Sequence, residues 1–195
     1  MGEALAALDT SLFRWINGHP NAVFDSLMPF VTGAGNWHLV ILVTWTALLL
    51  FGGGRGRVAA LLVIPLLILS DQTSSNLLKN IFERLRPCNA LPDVRLLAGC
   101  SSSFSMPSSH AANFGAAALH LSIHYPRMAP ILAGMALLVA YSRVYVGVHY
   151  PFDVVVGLGV GLLCALLIRG LERLGRRALR ARGGGSPATS SAQRG

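Results

Sequence analysis

The run WHLVILVTWTALLLF, from Trp37 to Phe51, decides the fold class. It contains no Asp, Glu, Lys or Arg and is apolar all round rather than along one stripe. A helix of that kind belongs inside a large core or inside a membrane. The rest of the chain selects the membrane: of 195 residues, 53% are hydrophobic and only 12% charged, about half the charged share of a soluble domain. The same composition excludes a disordered chain, which needs low hydrophobicity.

Outward from this run, the turn Gly52-Gly53-Gly54-Arg55 closes it, and a second apolar stretch follows from Val58 to Leu69. That stretch turns polar through Ser70-Asp71-Gln72-Thr73-Ser74-Ser75-Asn76 without a helix breaker. Further runs cover Ala111 to Tyr125, Met128 to about Val146, and Val154 to Ile168. Flanking polar residues complete each run to the roughly 20 residues that a bilayer requires. The expectation is an all-α, polytopic membrane helical bundle with five transmembrane helices, or six if Val23 to Val31 also inserts. Residues 1–30 lack signal-peptide anatomy. They mix Leu5, Leu8, Leu12, Phe13 and Trp15 with Glu3, Asp9 and Arg14, which predicts an N-terminal amphipathic helix at the membrane surface. One membrane-embedded domain is expected over 1–182, followed by a disordered Gly/Ser/Ala-rich tail over 183–195.

The formal charge of +8 suggests nucleic acid until the charges are placed along the chain. Six arginines lie between Arg169 and Arg182 against Glu172 alone. The positive-inside rule puts that end in the cytoplasm, together with Arg55, Arg57 and Arg127. The loops around 84–107 and 142–151 then face outward. Orientation and anionic lipid account for the basic tail, and no nucleic-acid partner is expected. The three cysteines show no metal-ligand spacing. Cys88 and Cys100 share the outward loop, as a disulfide or as two free thiols. Cys164 reads as a packing residue.

Polar groups that persist beside hydrocarbon point to function. Lys79-Asn80-Ile81-Phe82-Glu83-Arg84-Leu85-Arg86-Pro87 ends the second span, and Lys79 and Arg86, seven apart, are expected to share one helix face. Asp71 and Ser75 extend that stripe at intervals of four. Ser105-Met106-Pro107-Ser108-Ser109-His110 opens the third span as a helix N-terminus, where free N–H groups attract anions. Ser142-Arg143-Val144-Tyr145-Val146-Gly147-Val148-His149-Tyr150-Pro151-Phe152-Asp153 joins the last two spans. There Asp153 stands four residues after His149, at the offset for orienting an imidazole. All three clusters fall on the outward side. Three cations, a helix terminus, two histidines and one acid suit phosphoryl transfer. His120 and His124 are expected as an interfacial helix face rather than a metal pair.

These clusters resemble the signature of the type 2 phosphatidic acid phosphatase family: K-x6-R-P, then P-S-G-H, then S-R-x5-H-x3-D. Here they stand as Lys79 with Arg86-Pro87, Pro107-Ser108-Ser109-His110, and Ser142-Arg143 with His149 and Asp153. Ser109 replaces the usual glycine. The resemblance implies that His149 is the nucleophile, that Asp153 orients it, and that His110 is the general acid and then the base. It also implies that Lys79, Arg86, Ser108, Ser109 and Arg143 hold the phosphoryl oxygens, with no metal and no other cofactor. The implied partners are the bilayer and a lipid phosphate or diphosphate; oligomeric state is not readable. The compact chain and its likeness to small family members point to undecaprenyl diphosphate, cleaved on the outer face of a bacterial cytoplasmic membrane. Phosphatidic acid, phosphatidylglycerol phosphate and lipid A 1-phosphate are the alternatives within the family. An inactive lipid-binding scaffold and a vanadate-dependent peroxidase are the readings from other classes.

Overall fold

Every regular element among residues 2–183, the part of the chain described by this computed structural model, is helical. Helix α1 covers Glu3–Asn17, α2 Ala22–Thr32, α3 Ala34–Phe51 and α4 Gly53–Asp71. The chain continues without a break through a π-helical stretch, Gln72–Leu78, into the short α5, Lys79–Phe82, and then α6, Pro87–Ala90. The last three helices are α7 at Ser109–His124, α8 at Ala129–Tyr145 and α9 at Pro151–Gly183. From residue 184 on, the expected tail lies outside the described residues.

Three stretches are long and apolar enough to cross a membrane: Gly53–Ala90, Pro126–Tyr145 and Pro151–Ala181. Ala22–Thr32 and Gly35–Phe51, bent by 56° at their junction, make a fourth if taken as one span. The five full spans expected from the sequence are therefore not reproduced by length. The run Ala111 to Tyr125 forms only the 16-residue α7, about 24 Å of helix. It packs against α4, α8 and α9 as the central element. Its small residues allow this. A Cβ at Gly157 would lie 2.5 Å from the Ser108 carbonyl oxygen, and one at Gly161 would run into that of Ala112. The contact of α7 with α9 is thus small-residue packing. Cys164 joins Leu66, Ala116, Ala165 and Ile168 in the core beside it.

The N-terminal segment is two helices rather than one, split at residues 18–21, with Asn21 capping α2 through bonds from Val23 N and Phe24 N. In α1 the residues facing the bundle are Asp9, Phe13 and Asn17, whereas Leu5, Leu8, Leu12 and Trp15 face away.

Lys79 and Arg86 do not share a helix face. The helix stops at Phe82, where Glu83 takes a left-handed φ of 45°, and the chain runs extended to Arg86 before Pro87 opens α6. His120 and His124 are not interfacial either. Both are buried, with His120 Nε2 3.0 Å from the Ala59 carbonyl and His124 Nε2 3.5 Å from Glu172. The motif clusters fall at the end of α4–α5, the start of α7, the end of α8 and the start of α9, so they gather at one end of the bundle. Arg55, Tyr125 and Arg127 mark the other end.

Candidate active site

The loop between α8 and α9 carries the most constrained residues of this site. Val148 N and His149 N both donate to the Arg143 carbonyl, at 3.3 and 3.2 Å. Gly147 permits the turn at φ +89°; a Cβ there would sit 2.7 Å from the Arg95 carbonyl oxygen. The loop seals His149 to 1% exposure and Asp153 to zero.

Asp153 is saturated with donors. Its Oδ2 accepts from Tyr150 N at 2.8 Å and from the Ser105 hydroxyl, and its Oδ1 accepts from Arg84 Nη1 at 2.9 Å. His149 Nδ1 lies 3.4 Å from Oδ2. The other imidazole nitrogen, Nε2, lies 3.1 Å from Arg86 Nη1. A guanidinium has no acceptor, so Nε2 holds the lone pair and Nδ1 the proton. Burial, reinforced by Arg143 and Arg86 against the hydrogen bond to Asp153, pushes the His149 pKa down to about 3. The imidazole is therefore neutral at physiological pH.

The three expected cations converge around it. Arg86 Nε donates to the Ser103 carbonyl at 2.8 Å, its Nη2 to Ser103 Oγ at 3.0 Å, and its Nη1 also to the Val148 carbonyl at 3.1 Å. Lys79 Nζ reaches the same Ser103 Oγ at 3.5 Å. The helix break at Glu83 thus brings Lys79 and Arg86 to one hydroxyl by a route other than a shared face. Arg143 Nη1 donates to Thr32 Oγ1 of α2, while its Nε is buried without a partner. An unpaired buried guanidinium N–H is costly and is chemically matched to a phosphoryl oxygen.

Ser108 caps α7, its Oγ accepting from Ala111 N, and its own N–H donates to the Asp153 carbonyl at 2.9 Å. This bond ties the second motif to the third. His110 follows in the first turn, within electrostatic reach of Arg143, Lys79 and Arg86. The first N–H groups of α7 lack acceptors within the helix and add to the positive potential. The Ser109 hydroxyl lies 2.8 Å from Ser75 Oγ, which in turn donates to Asp71. Among the described residues, no three His, Cys, Asp or Glu side chains are grouped as metal ligands.

All eight residues expected from the sequence thus lie at this end, with Lys79, Arg86, His110, Arg143, His149 and Asp153 sharing one cluster of charges. Four partners went unassigned. Arg84 and Ser105, which hold Asp153, lie within the first two motif clusters but outside their signature positions. Ser103 and Asp9 lie outside the clusters altogether. Cys88 and Cys100 form a disulfide, which ends three residues before Ser103, the partner of Arg86 and Lys79.

Residues 58–174 match the PAP2 superfamily model. An undecaprenyl-diphosphatase of Sulfolobus acidocaldarius is 34% identical over 175 residues, covering 89% of this chain and 83% of that protein. The crystal structure of Aquifex aeolicus LpxE superposes with a TM-score of 0.70 at 27% identity, covering 84% of this chain and 95% of that one. That of a PAP2-type phosphatidylglycerolphosphate phosphatase from Bacillus subtilis gives 0.67 at 25%, covering 88% of each.

Proposed function

The chain belongs to the PAP2 superfamily and is a membrane lipid phosphatase; from this we propose that it removes the terminal phosphate of undecaprenyl diphosphate through a phosphohistidine at His149. The observation that carries the mechanism is the two-sidedness of that imidazole: Nδ1 faces Asp153 and Nε2 faces the cations. Nε2 attacks phosphorus as the bond from phosphorus to the leaving oxygen breaks, and His110 gives that oxygen its proton. Asp153 stabilises the ring, which carries positive charge while phosphorylated. Water then attacks phosphorus, the P–N bond breaks, and His110 takes the water's proton. Lipid monophosphate and inorganic phosphate leave.

Lys79, Arg86 and Arg143, with the Ser108–Ser109 end of α7, hold the equatorial oxygens, and the unpartnered Nε of Arg143 takes one of them. Three cations match the charge that builds on a transferring phosphoryl group, so the reaction needs no metal ion. The name of the Sulfolobus relative supports the diphosphate substrate. The name of the Bacillus structure supports phosphatidylglycerol phosphate as the second reading.

In the bilayer, α3, α4, α7, α8 and α9 act as five spans, with the basic second half of α9 in the cytoplasm. The site then faces outward, and the Cys88–Cys100 disulfide fits an oxidising side. Phosphate release from undecaprenyl diphosphate, phosphatidic acid, phosphatidylglycerol phosphate and lipid A 1-phosphate in micelles tests the substrate. The diphosphate is expected to turn over fastest, and a markedly faster phosphatidylglycerol phosphate would make the second reading the right one. Acid-labile phosphate trapped on wild-type protein and absent from His149→Ala tests the intermediate. Activity is expected to persist in EDTA, and a strict Mg²⁺ requirement would refute the metal-free scheme.

A further inference from the structure

Helix α1 lies outside residues 58–174, the part matched by the family, yet its inward residues touch the loop that carries His149 or the helix ends on either side of it. Asn17 Nδ2 donates to the Tyr145 carbonyl at 2.8 Å. The Phe13 ring lies 5.5 Å from the Tyr150 ring. Asp9 Oδ1 accepts from Phe152 N at 2.9 Å, one residue before Asp153. The other oxygen of Asp9 lies 2.7 Å from Arg84 Nη1, the same nitrogen that donates to Asp153 Oδ1 at 2.9 Å. One guanidinium nitrogen thus stands between two fully buried carboxylates, while the Arg84 guanidinium stacks on Tyr150 at 3.8 Å.

We propose that Asp9 is a positioning residue for catalysis, acting through Arg84 on Asp153. Alone, Arg84 would neutralise Asp153 and weaken its hold on the imidazole when that ring becomes positive. Asp9 restores the balance, because two carboxylates and one guanidinium leave one net negative charge facing His149 Nδ1. Asp9 also fixes the first turn of α9 and with it the direction of Asp153. The N-terminal helix therefore belongs to the frame that positions Asp153.

The inference rests on the phosphohistidine reading, and its test separates the two. Wild type, Asp9→Asn, Arg84→Met and the double variant are compared on a lipid phosphate in micelles. Asp9→Asn keeps the shape and an acceptor for Phe152 N but loses the charge. Its kcat is expected to fall about tenfold or more with KM within about twofold, since the phosphate cradle is untouched. Vanadate, which occupies the phosphate position, should inhibit it as it inhibits wild type. The double variant should be no slower than Asp9→Asn, because removing Arg84 restores the net charge at Asp153. Unchanged kcat in Asp9→Asn, or losses that simply multiply in the double variant, would overturn the inference while leaving the phosphatase reading intact. A wild type that forms no phosphohistidine would overturn both. If Asp9→Asn does not fold, Asp9→Glu decides: it keeps the charge and should hold kcat near wild type, and a folded Asp9→Glu with a tenfold lower kcat refutes the inference.

Discussion

Nη1 of Arg86 stands 3.1 Å from Nε2 of His149, so the proposed nucleophile is held with its lone pair toward a cation that is also proposed to receive phosphate. The guanidinium is fixed from three other directions by Ser103 and Val148. A lysine ammonium, a single point of charge, cannot span those acceptors and still address Nε2. Arg86→Lys is expected to lose about a hundredfold or more in kcat/KM, measured on the preferred lipid with folding checked by thermal unfolding. Near-wild-type activity would show that only the charge of Arg86 matters.

His110, in the first turn of α7, is proposed to protonate the leaving oxygen. A leaving group that departs unprotonated should not need it. His110→Asn is expected to lose about a hundredfold or more on a lipid phosphate and far less in the phosphorylation step with p-nitrophenyl phosphate. Pre-steady-state release of nitrophenol reads that step, and an equal loss on both substrates would assign His110 another role.

His149 contributes to stability with a definite sign. Its folded pKa of about 3 lies below the roughly 6.5 of an exposed histidine. Between these values the unfolded chain binds the proton and the fold refuses it. The stabilisation is complete above pH 6.5 and is lost as pH falls toward 3, at up to about 1.4 kcal/mol per pH unit. The free energy of unfolding in detergent should fall more steeply from pH 7 to pH 4 for wild type than for His149→Asn. Parallel curves would mean that the acid loss comes from other groups.

Gly157 faces the Ser108 carbonyl so closely that a methyl group has no room. Gly157→Ala should cost about 1–3 kcal/mol of stability and displace Ser108, which both caps α7 and bonds Asp153. Lowered activity together with a lowered melting temperature is expected. Unchanged values of both would mean that α7 and α9 separate freely.

The proposed catalytic groups were legible because each motif is local: His149 and Asp153 are four residues apart, and Ser108 and His110 open one helix. What supports them was not. Asp9 reaches Phe152 across 143 residues and Arg84 reaches Asp153 across 69, and no spacing rule spans such distances. Asp9 also looked like the solvent face of an amphipathic helix. The apolar runs located α3, α4, α7, α8 and α9, although α7, the central helix, has only 16 residues. The shared face assigned to Lys79 and Arg86 assumed a continuous helix, and the left-handed turn at Glu83 carries no glycine to announce it. His120 and His124 looked interfacial from polarity alone, whereas the Ala59 carbonyl and Glu172 give them buried partners.

Helix α1 turns its leucines and Trp15 away from the protein and its Asp9 and Asn17 toward it. A helix seated by grease alone can slide or roll with little penalty, because one apolar contact replaces another. This one is indexed: Asp9 and Asn17, eight residues apart along the axis, each bond particular atoms. Rolling it by one residue would strand both side chains at once, so the setting of α1 is discrete, like a key cut for two pins.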